Sequence, residues 1–399
     1  MASSCLPSFA WIFALLFFFF FFADRIYVVK ASRRIFKNPD SAETGSITST
    51  KYRTAYHFQP PQHWINDPNG PMYYNGIYHL FYQYNPYAAV WGNISWGHSV
   101  STDLVRWTGV GLAIAPTEPY EANGCWSGSA TILPGNKPVI LYTSSNARKE
   151  QVQNVAYPKN LSDPFLREWT KPDHNPIIEP AGDLNASEFR DPTTGWLGED
   201  GLWRMLVGNK IGAGGRAILY RSKDFVHWVR AKDPLSYSSG SGMWECPDFF
   251  PSDGGSKYVL KMSLDDTRTD HYMLGSYDKV KDLFIPDGEF VDYRRWPRYD
   301  YGNFYASKTF FDEGKGRRIL WGWSNESDSV SDDIAKGWAG IQTIPRVVWL
   351  DKRRRQLLQW PVEELESLRR KHVRLHDVEL VTGGLVEVKG LKVLQASGC

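Results

Sequence analysis

The sequence contains little cysteine, and this scarcity excludes a fold held together by disulfide bonds. Four cysteines occur among 399 residues, and removal of the N-terminal segment described below leaves three, Cys125, Cys246 and Cys399. An odd and sparse set provides no disulfide framework. The sequence also lacks the His/Cys spacing of a metal site. We therefore expect no metal, and the chemistry described below implies no organic cofactor.

A strong net charge is also missing. The net charge is +2, which gives no reason to expect a nucleic acid partner. Two short basic runs, 352–355 and 369–371, are interpreted as solvated surface. The alternative is that these runs help to hold the protein to an acidic polysaccharide.

A long apolar run occurs only at the N-terminus. The stretch 9–23 includes six consecutive phenylalanines, and its length is that of a signal peptide core rather than of a membrane span. We predict a signal peptide over 1–31, cleaved between Ala23 and Ser32, and an N-terminal extension over 32–51. The alternative is an uncleaved signal anchor.

Secretion, with no membrane association after signal cleavage, is the resulting prediction. Glycosylation sequons of the Asn-x-Ser type agree with it, because such sites are modified in secreted proteins. The sequence has four of them, at Asn93, Asn160, Asn185 and Asn325.

An internal repeat predicts the architecture. Residues 101–107 (STDLVRW) recur as 222–228 (SKDFVHW), and a looser copy lies at 162–169. The tryptophans that close these copies are about sixty residues apart, and the chain between them is typical of short strands. A fixed period of several strands is the signature of a β-propeller. We predict an all-β fold with about five blades over 52–360, and a structural role for the repeated segment as a blade-edge turn.

Three acidic motifs carry the chemistry. They are 64–70 (WINDPNG), 190–192 (RDP) and 244–248 (WECPD), and each sets a carboxylate beside aromatic or proline residues. Such a pair suits sugar chemistry, because the ring stacks on the sugar while the acid acts as nucleophile or proton donor. A single Asp-Pro is more simply an ordinary turn. In a propeller, however, acids from blades one, three and four converge at one end of the central channel.

With these motifs, the chain resembles the plant acid invertases of glycoside hydrolase family 32, most closely the cell-wall branch. The resemblance implies a five-bladed propeller followed by a β-sandwich, extracellular location in the apoplast or cell wall, and cleavage of sucrose. It implies that Asp67 is the nucleophile, Glu245 the acid/base and Asp191 the stabiliser of the transition state. Retention of configuration would place the carboxyls of Asp67 and Glu245 roughly 5 Å apart. The substrate-binding residues that it implies are Trp64, Asn66, Gln83, Trp91, Trp126, Ser127 and Arg190.

Two finer signals bear on the substrate. Pro247 follows the cell-wall pattern, and Asp278 with Lys281 forms the Asp-x-x-Lys pair that this family associates with the glucose half of sucrose. The pair favours sucrose over fructans. A fructan exohydrolase remains the alternative within the same chemistry. Cys246 is interpreted as a packed thiol, not a nucleophile, because no histidine lies near it in sequence.

The segment 361–399 is interpreted as a linker and the opening of the sandwich. A short amphipathic helix is predicted at 362–369, and a hairpin at 378–381 and 385–389. Because family members continue well beyond this point, we expect a truncated sandwich and an uncovered apolar face of the propeller. This expectation raises a further alternative, a poorly stable or non-catalytic sugar-binding isoform.

Overall fold

Twenty-four strands within the described residues form five sheets, arranged as the blades of a propeller. The computed structural model describes residues 52–326, 328–369 and 373–390. The predicted signal peptide, the N-terminal extension and Cys399 lie outside these ranges. The five-bladed, all-β architecture predicted from the repeat is confirmed.

The strands follow the chain blade by blade. Blade 1 contains β1 (His63–Tyr74), β2 (Ile77–Asn85), β3 (Ser95–Ser101) and β4 (Thr108–Ile114). Blade 2 contains β5 (Cys125–Leu133), β6 (Lys137–Ser145), β7 (Gln151–Pro158) and β8 (Trp169–Thr170). Blade 3 contains β9 (Phe189–Arg190), β10 (Trp196–Leu197), β11 (Trp203–Ile211), β12 (Gly214–Ser222), β13 (Trp228–Arg230) and β14 (Ser236–Ser238).

The last two blades complete the ring. Blade 4 contains β15 (Trp244–Ser252), β16 (Lys257–Leu264), β17 (Thr269–Asp278) and β18 (Leu283–Pro286). After β19 (Tyr305–Asp312) and β20 (Arg317–Ser324), the short strand β21 (Trp338–Ala339) joins blade 1. Blade 5 consists of β19, β20, β22 (Ile341–Gln342), β23 (Arg346–Leu350) and β24 (Leu357–Pro361).

The hydrophobic core lies between neighbouring blades. One cluster joins Phe81 of blade 1 to Tyr142 of blade 2, and the next joins Leu141 of blade 2 to Met205 of blade 3. The central strands are therefore buried on both faces and consist of near-continuous apolar runs. This burial explains why the chain between the repeated segments forms short strands, as predicted, that are rich in aromatic and branched residues, such as β2, β6 and β20.

Closure of the ring brings blade 5 against the start of β1. Strand β21 pairs in parallel with β1, matching His63 with Trp338, and the next residues return to pair with β20. Gly340 makes this crossing possible, because its φ is +84° and a Cβ there would lie 2.0 Å from the Ile65 carbonyl oxygen. Closure therefore occurs beside the WINDPNG motif.

Helices within the described ranges are short, and all but the last lie between strands. The α-helix α1 (Val330–Lys336) begins at a Ser329–Asp332 capping box and ends at Gly337, which is left-handed. The 3-10 helices are Pro119–Glu121, Asp253–Gly255, Gly288–Phe290, Tyr293–Arg295 and Glu363–Leu368. Within the described ranges, no helix is long and apolar enough to cross a membrane.

The repeated segments are turns that connect β3 to β4 in blade 1, β7 to β8 in blade 2 and β12 to β13 in blade 3. In blade 1, Asp103 Oδ1 accepts hydrogen bonds from the N–H groups of Val105 (3.0 Å) and Arg106 (2.7 Å), while the Trp107 indole donates to the Leu104 carbonyl oxygen. Asp224 makes the same contacts in blade 3. In the looser copy of blade 2, Asp163 accepts from Phe165 through Oδ1 and from Arg167 through Oδ2, and the Trp169 indole again donates to a carbonyl oxygen of the turn. The structural role predicted for this segment is confirmed.

The chain after blade 5 differs from the prediction. The helix expected at 362–369 is a 3-10 helix, held to the propeller by the buried side chain of Val362 and by an ion pair between Glu364 and Arg317. The predicted hairpin is wrong, because residues 373–390 contain turns and no strand. An isolated two-stranded hairpin gains too little from its own pairing to form without a sheet to join.

Candidate active site

The candidate site lies at one end of the first strand of each blade, where the pairing between strands is irregular. These strands surround a central channel, where β1 contacts β5 and β19, and β15 contacts β19. The register shifts at an equivalent place in four of them, between Ile65 and Pro68, Cys125 and Gly128, Glu245 and Asp248, and Tyr305 and Lys308. A bulge re-aims the side chains that it contains. In blade 3, Asp191 follows β9 with a φ of +69°, so all five blades have an unusual backbone at this end.

Asp67 lies in the bulge of β1 and has a polar partner on each oxygen. Its Oδ1 accepts a hydrogen bond from Asn66 Nδ2 (3.1 Å), and its Oδ2 accepts one from the Ser127 hydroxyl (2.5 Å). The side-chain amide of Gln83 connects these two partners: it accepts a hydrogen bond from Asn66 Nδ2 (2.9 Å) and donates one to the Ser127 hydroxyl. Four residues of β1, β2 and β5 are therefore held as one network.

Asp191 lies beside Asp67 and is fixed through its backbone and its side chain. Its N–H donates to Thr143 Oγ1 (2.8 Å), and its Oδ2 accepts from the Cys246 N–H (2.8 Å). The Cys246 thiol lies 3.5 Å from Oδ2 of both Asp67 and Asp191. The thiol therefore links the two carboxylates, and its burial raises its pKa well above the ordinary value. It is a packed group, as the sequence predicted.

Glu245 is held by cations and a phenol. Arg190 donates to its Oε1 through Nε (2.9 Å) and Nη2 (2.8 Å), and the Tyr305 hydroxyl donates to Oε2. Arg268 lies 3.6 Å from the same oxygen. Asp265 joins this group through Arg268 (2.8 Å) and Arg190 (3.2 Å). The carboxyl is thus placed at the end of the channel by three different blades.

The electrostatics of the site raise the pKa of its two aspartates. Burial raises the pKa of Asp67 to about 6, and the charges of Asp191 and Glu245 add to the rise, while hydrogen bonds from Ser127 and Asn66 oppose it. Burial also raises the pKa of Asp191, although the charges of Arg190 and Lys308 oppose that rise. Three carboxyl groups in one pocket therefore repel one another, and arginines offset part of that repulsion.

Two of the predicted tryptophans lie next to residues that bond Asp67. The Trp64 indole donates to Asn66 Oδ1 (2.8 Å) and packs edge-on against Trp323 at 5.7 Å between ring centroids. Trp126 packs against Trp91 at 6.0 Å, and Trp91 is 56% exposed. The structure thus places Trp64 beside the network of Asp67, Trp126 directly before Ser127 and Trp91 against Trp126. Trp323 is an addition that no motif indicated.

Asp278 and Lys281 are not part of this group. Glu245 is paired with Ser263, which is paired with Asp270 at the pocket end of β17. Asp278 lies eight residues further along that strand, roughly 26 Å at 3.3 Å per residue. There it accepts hydrogen bonds from the N–H groups of Val280 and Lys281, as the turn aspartates of the other blades do. The structure contradicts their assignment to the sugar site: the segment is the fourth copy of the blade-edge turn.

A second acid and base with the same spacing lie at the pocket instead. Asp265 and Arg268 follow β16 and contact Arg190 and Glu245 as described above. Sequence reasoning missed them, and it also missed Tyr305. The signal that could have found the pair is its place directly after the strand that is paired with the WECPD motif. Tyr305 offered no such signal: the motifs were recognised by their acids, and blade 5 contributes no acid to the pocket.

Metal binding receives no support from the described part of the chain. It contains no group of three or more histidine, cysteine or acidic residues arranged to hold an ion. The pocket acids are instead partnered by hydroxyl, amide and guanidinium groups.

Comparison with known proteins identifies the family of the chain. The family description "Glycosyl hydrolases family 32 N-terminal domain" matches residues 57–361. The chain belongs to this family. The match begins just before the first motif and ends with the last strand of blade 5, so it covers all five blades.

The similar proteins include both β-fructofuranosidases and fructan exohydrolases. Beta-fructofuranosidase, insoluble isoenzyme 4, from Oryza sativa subsp. japonica is 56% identical over 410 residues, which cover 98% of this chain and 69% of the relative. Fructan 1-exohydrolase from Aegilops speltoides is 53% identical over 375 residues, covering 90% and 62%. The crystal structure of fructan 1-exohydrolase IIa from Cichorium intybus in complex with 1-kestose has a TM-score of 0.77 at 50% identity, covering 81% of this chain and 63% of that one. The chain thus spans about two thirds of each relative.

Proposed function

We propose that the protein is a β-fructofuranosidase that hydrolyses sucrose to glucose and fructose with retention of configuration. The observation that carries this proposal is the convergence of Asp67, Asp191 and Glu245 at one end of the channel, joined through Cys246 and Arg190. Two carboxyl groups on either side of a glycosidic bond are what such hydrolysis requires. The family and the similar β-fructofuranosidases support the same assignment.

In the first step, Asp67 attacks the anomeric carbon of the fructosyl unit. A bond forms between a carboxylate oxygen and that carbon, the bond to the glucosyl oxygen breaks, and Glu245 gives its proton to the departing oxygen. Hydrogen bonds from Asn66 and Ser127 hold the Asp67 carboxylate in one orientation. The nucleophile therefore does not have to be reoriented as the reaction proceeds.

In the second step, water completes the hydrolysis. Glu245, now ionised, takes a proton from a water molecule that attacks the same carbon, and the ester to Asp67 breaks. Asp191 supplies negative charge beside the sugar as positive charge develops, and it cannot swing away because both its N–H group and its carboxylate are held. The Asp67–Glu245 separation of roughly 5 Å stays a prediction.

The sugar contacts follow from the positions of the surrounding residues. We assign the fructosyl side to the network of Asn66, Gln83 and Ser127, and the aromatic rim to Trp64, Trp91 and Trp126. Arg190 orients Glu245 directly. Asp265 and Arg268 replace Asp278 and Lys281 as the charged pair on the leaving-group side, because they contact the group that protonates the leaving oxygen.

Fructan exohydrolysis is the second candidate. Its support is the similarity to fructan 1-exohydrolases, one of them crystallised with 1-kestose. A non-catalytic sugar-binding role is less well supported, because binding alone requires neither a positioned nucleophile nor a proton donor.

The test is hydrolysis of sucrose and of inulin by the purified protein, with the anomer of the first-released fructose followed by NMR. We expect the β anomer and a higher kcat/KM for sucrose. Glu245→Gln is the control for contaminating activity. Release of the α anomer would contradict a retaining mechanism, a preference for inulin would favour the second candidate, and absence of turnover in folded protein would overturn both.

Secretion and attachment to an acidic cell-wall polysaccharide complete the proposal. All four sequon asparagines are exposed. Arg295 and Arg355 line one cleft, together with Glu289, where the 352–355 turn meets the 3-10 helix Tyr293–Arg295, and we assign the attachment to these two arginines. We expect glycosidase treatment to lower the mass of the secreted protein, and moderate salt to release it from polygalacturonate. Reversal of charge at Arg295 and Arg355 should weaken that retention, and unchanged retention would count against this assignment.

A further inference from the structure

A buried lysine beneath the pocket has no role in the mechanism above. Lys308 follows the bulge of β19 and is 2% exposed. Its Nζ donates to Ser129 Oγ of β5 (3.1 Å) and to the Pro247 carbonyl oxygen of β15 (3.2 Å). Among the residues that the structure describes, no carboxylate oxygen lies within 4 Å of this Nζ. Its direct partners are therefore neutral.

A second buried lysine in the same region, Lys261, has a carboxylate that compensates its charge. Lys261 is 1% exposed and donates to the carbonyl oxygens of Cys246 (3.1 Å) and Ser307 (2.7 Å). Its Nζ also lies 3.2 Å from Asp270. The two lysines thus bind consecutive carbonyl groups of the bulge that contains Glu245, but only Lys261 has a carboxylate in contact.

A buried ammonium group without a contacting carboxylate is costly unless negative charge nearby stabilises it. The pocket supplies such charge. Ser129 lies two residues after Ser127, which binds Asp67, and Pro247 follows Cys246, which binds Asp191. The charge of Lys308 accordingly lowers the pKa of Asp191, against the rise that burial causes.

The other cation near Asp191 is already engaged. The groups that face Asp191 are the carboxyls of Asp67 and Glu245, the Cys246 thiol, the Arg190 guanidinium and the ammonium of Lys308. Arg190 directs Nε and Nη2 at Glu245 and shares Nη2 with Asp265. Lys308 is therefore the cation whose charge is not committed to another carboxylate.

We propose that Lys308 is a positioning residue of the hydrolytic site: its buried charge keeps Asp191 ionised, and its bond to Pro247 fixes the bulge that presents the Cys246 N–H to Asp191. The effect on catalysis rests on the proposed function. The coupling between Lys308 and Asp191 does not, because it exists in the free protein.

The first test compares pH profiles of kcat/KM on sucrose. In Lys308→Met, the acidic limb should move to higher pH by roughly one unit, since a nearby opposite charge shifts a carboxyl by about one to three units. Lys308→Arg should restore the wild-type limb. Lys261→Met is the matched control, expected to lose stability through the unpaired Asp270 without moving the limb. A Lys308→Met variant with uniformly lower activity and an unchanged limb would overturn the proposal.

The second test needs no activity. A double-mutant cycle of Lys308→Met with Asp191→Asn is measured by chemical denaturation at neutral pH. We expect Lys308→Met to be strongly destabilising alone and much less so in the Asp191→Asn background. An equal loss of unfolding free energy in both backgrounds would overturn the coupling. If the single variant does not fold, folding of the double variant supports the proposal, and failure of both contradicts it. A protein that shows the coupling but does not turn over sucrose would refute the proposed function alone.

Discussion

Aspartates lie at both ends of the blades, and their surroundings shift the pKa in opposite directions at the two ends. In the blade-edge turns, burial would raise the pKa of Asp103, but N–H groups of Arg106 and Val105 outweigh it and hold the pKa below its ordinary value. Hydrogen bonds from the Lys281 N–H and its neighbours do the same for Asp278. At the pocket end, burial and neighbouring carboxyls raise the pKa of Asp67. The turn aspartates stabilise the fold, whereas the pocket aspartates cost stability and gain reactivity.

The largest expected difference between the two ends is catalytic. Asp67→Asn removes the nucleophile and should lower kcat on sucrose by on the order of 10⁴-fold or more. Asp103→Asn keeps an acceptor for the turn and should leave kcat within about twofold, because its carboxylate never approaches the sugar. Initial rates on purified proteins with matching circular dichroism spectra make the comparison. Substantial turnover by Asp67→Asn would remove the basis for the distinction.

The charged pairs at the two ends of blade 4 give the next largest contrast. Arg268→Gln and Asp265→Asn should each reduce kcat/KM for sucrose by about 10- to 100-fold, since hydrogen bonds to charged groups contribute about 1.5–3 kcal/mol. Asp278→Asn and Lys281→Gln should change it by less than about twofold. A loss of sucrose activity confined to the Asp278 and Lys281 variants would show that our placement of the leaving-group side is wrong.

Stability should respond to pH with opposite sign at the two ends. Because the pKa of Asp67 is raised in the folded state, its ionisation costs stability as pH rises from about 4 to about 6. Asp67→Asn should therefore be more stable than wild type at neutral pH, by up to about 3 kcal/mol for a shift of about two units, and the gain should vanish near pH 4. Partial exposure of the carboxyl makes this figure an upper bound.

The turn aspartate should show the reverse. Asp103→Ala is expected to be less stable than wild type at neutral pH by about 1 kcal/mol, because it removes acceptors for two N–H groups. Since the folded-state pKa of Asp103 is lowered, the difference should shrink as pH falls below about 4. Urea denaturation at both pH values measures the two variants together. The same sign for both would contradict the assigned environments.

The same contrast explains what the sequence could predict. The turn repeat recurs with its spacing because each copy makes the same local hydrogen bonds, so the five blades followed from it. The three acids could be identified because each lies in a distinctive motif. Asp278 was misassigned because its turn has the Asp-x-x-Lys spacing, and spacing alone does not say at which end of a strand a residue lies.

Other parts of the site depend on tertiary structure. The bulges at Asp67, Ser127 and Cys246 arise from pairing between strands, and no local pattern indicates them. Tyr305 reaches Glu245 only because ring closure brings blade 5 beside blade 4 and blade 1. Lys308 appears as an ordinary strand residue until its burial is known. Long-range packing therefore determines these positions, and local sequence does not.

One measurement tests the central claim that the pocket end, and not the turn end, carries the chemistry. It is the rate of sucrose hydrolysis at acidic pH by the wild-type protein, by Glu245→Gln and by Asp278→Asn, prepared in parallel. The account predicts that Glu245→Gln loses about 10²- to 10⁴-fold in kcat, as expected for removal of a general acid, while Asp278→Asn keeps wild-type activity. Equal activity in all three proteins, or loss in Asp278→Asn alone, would contradict it.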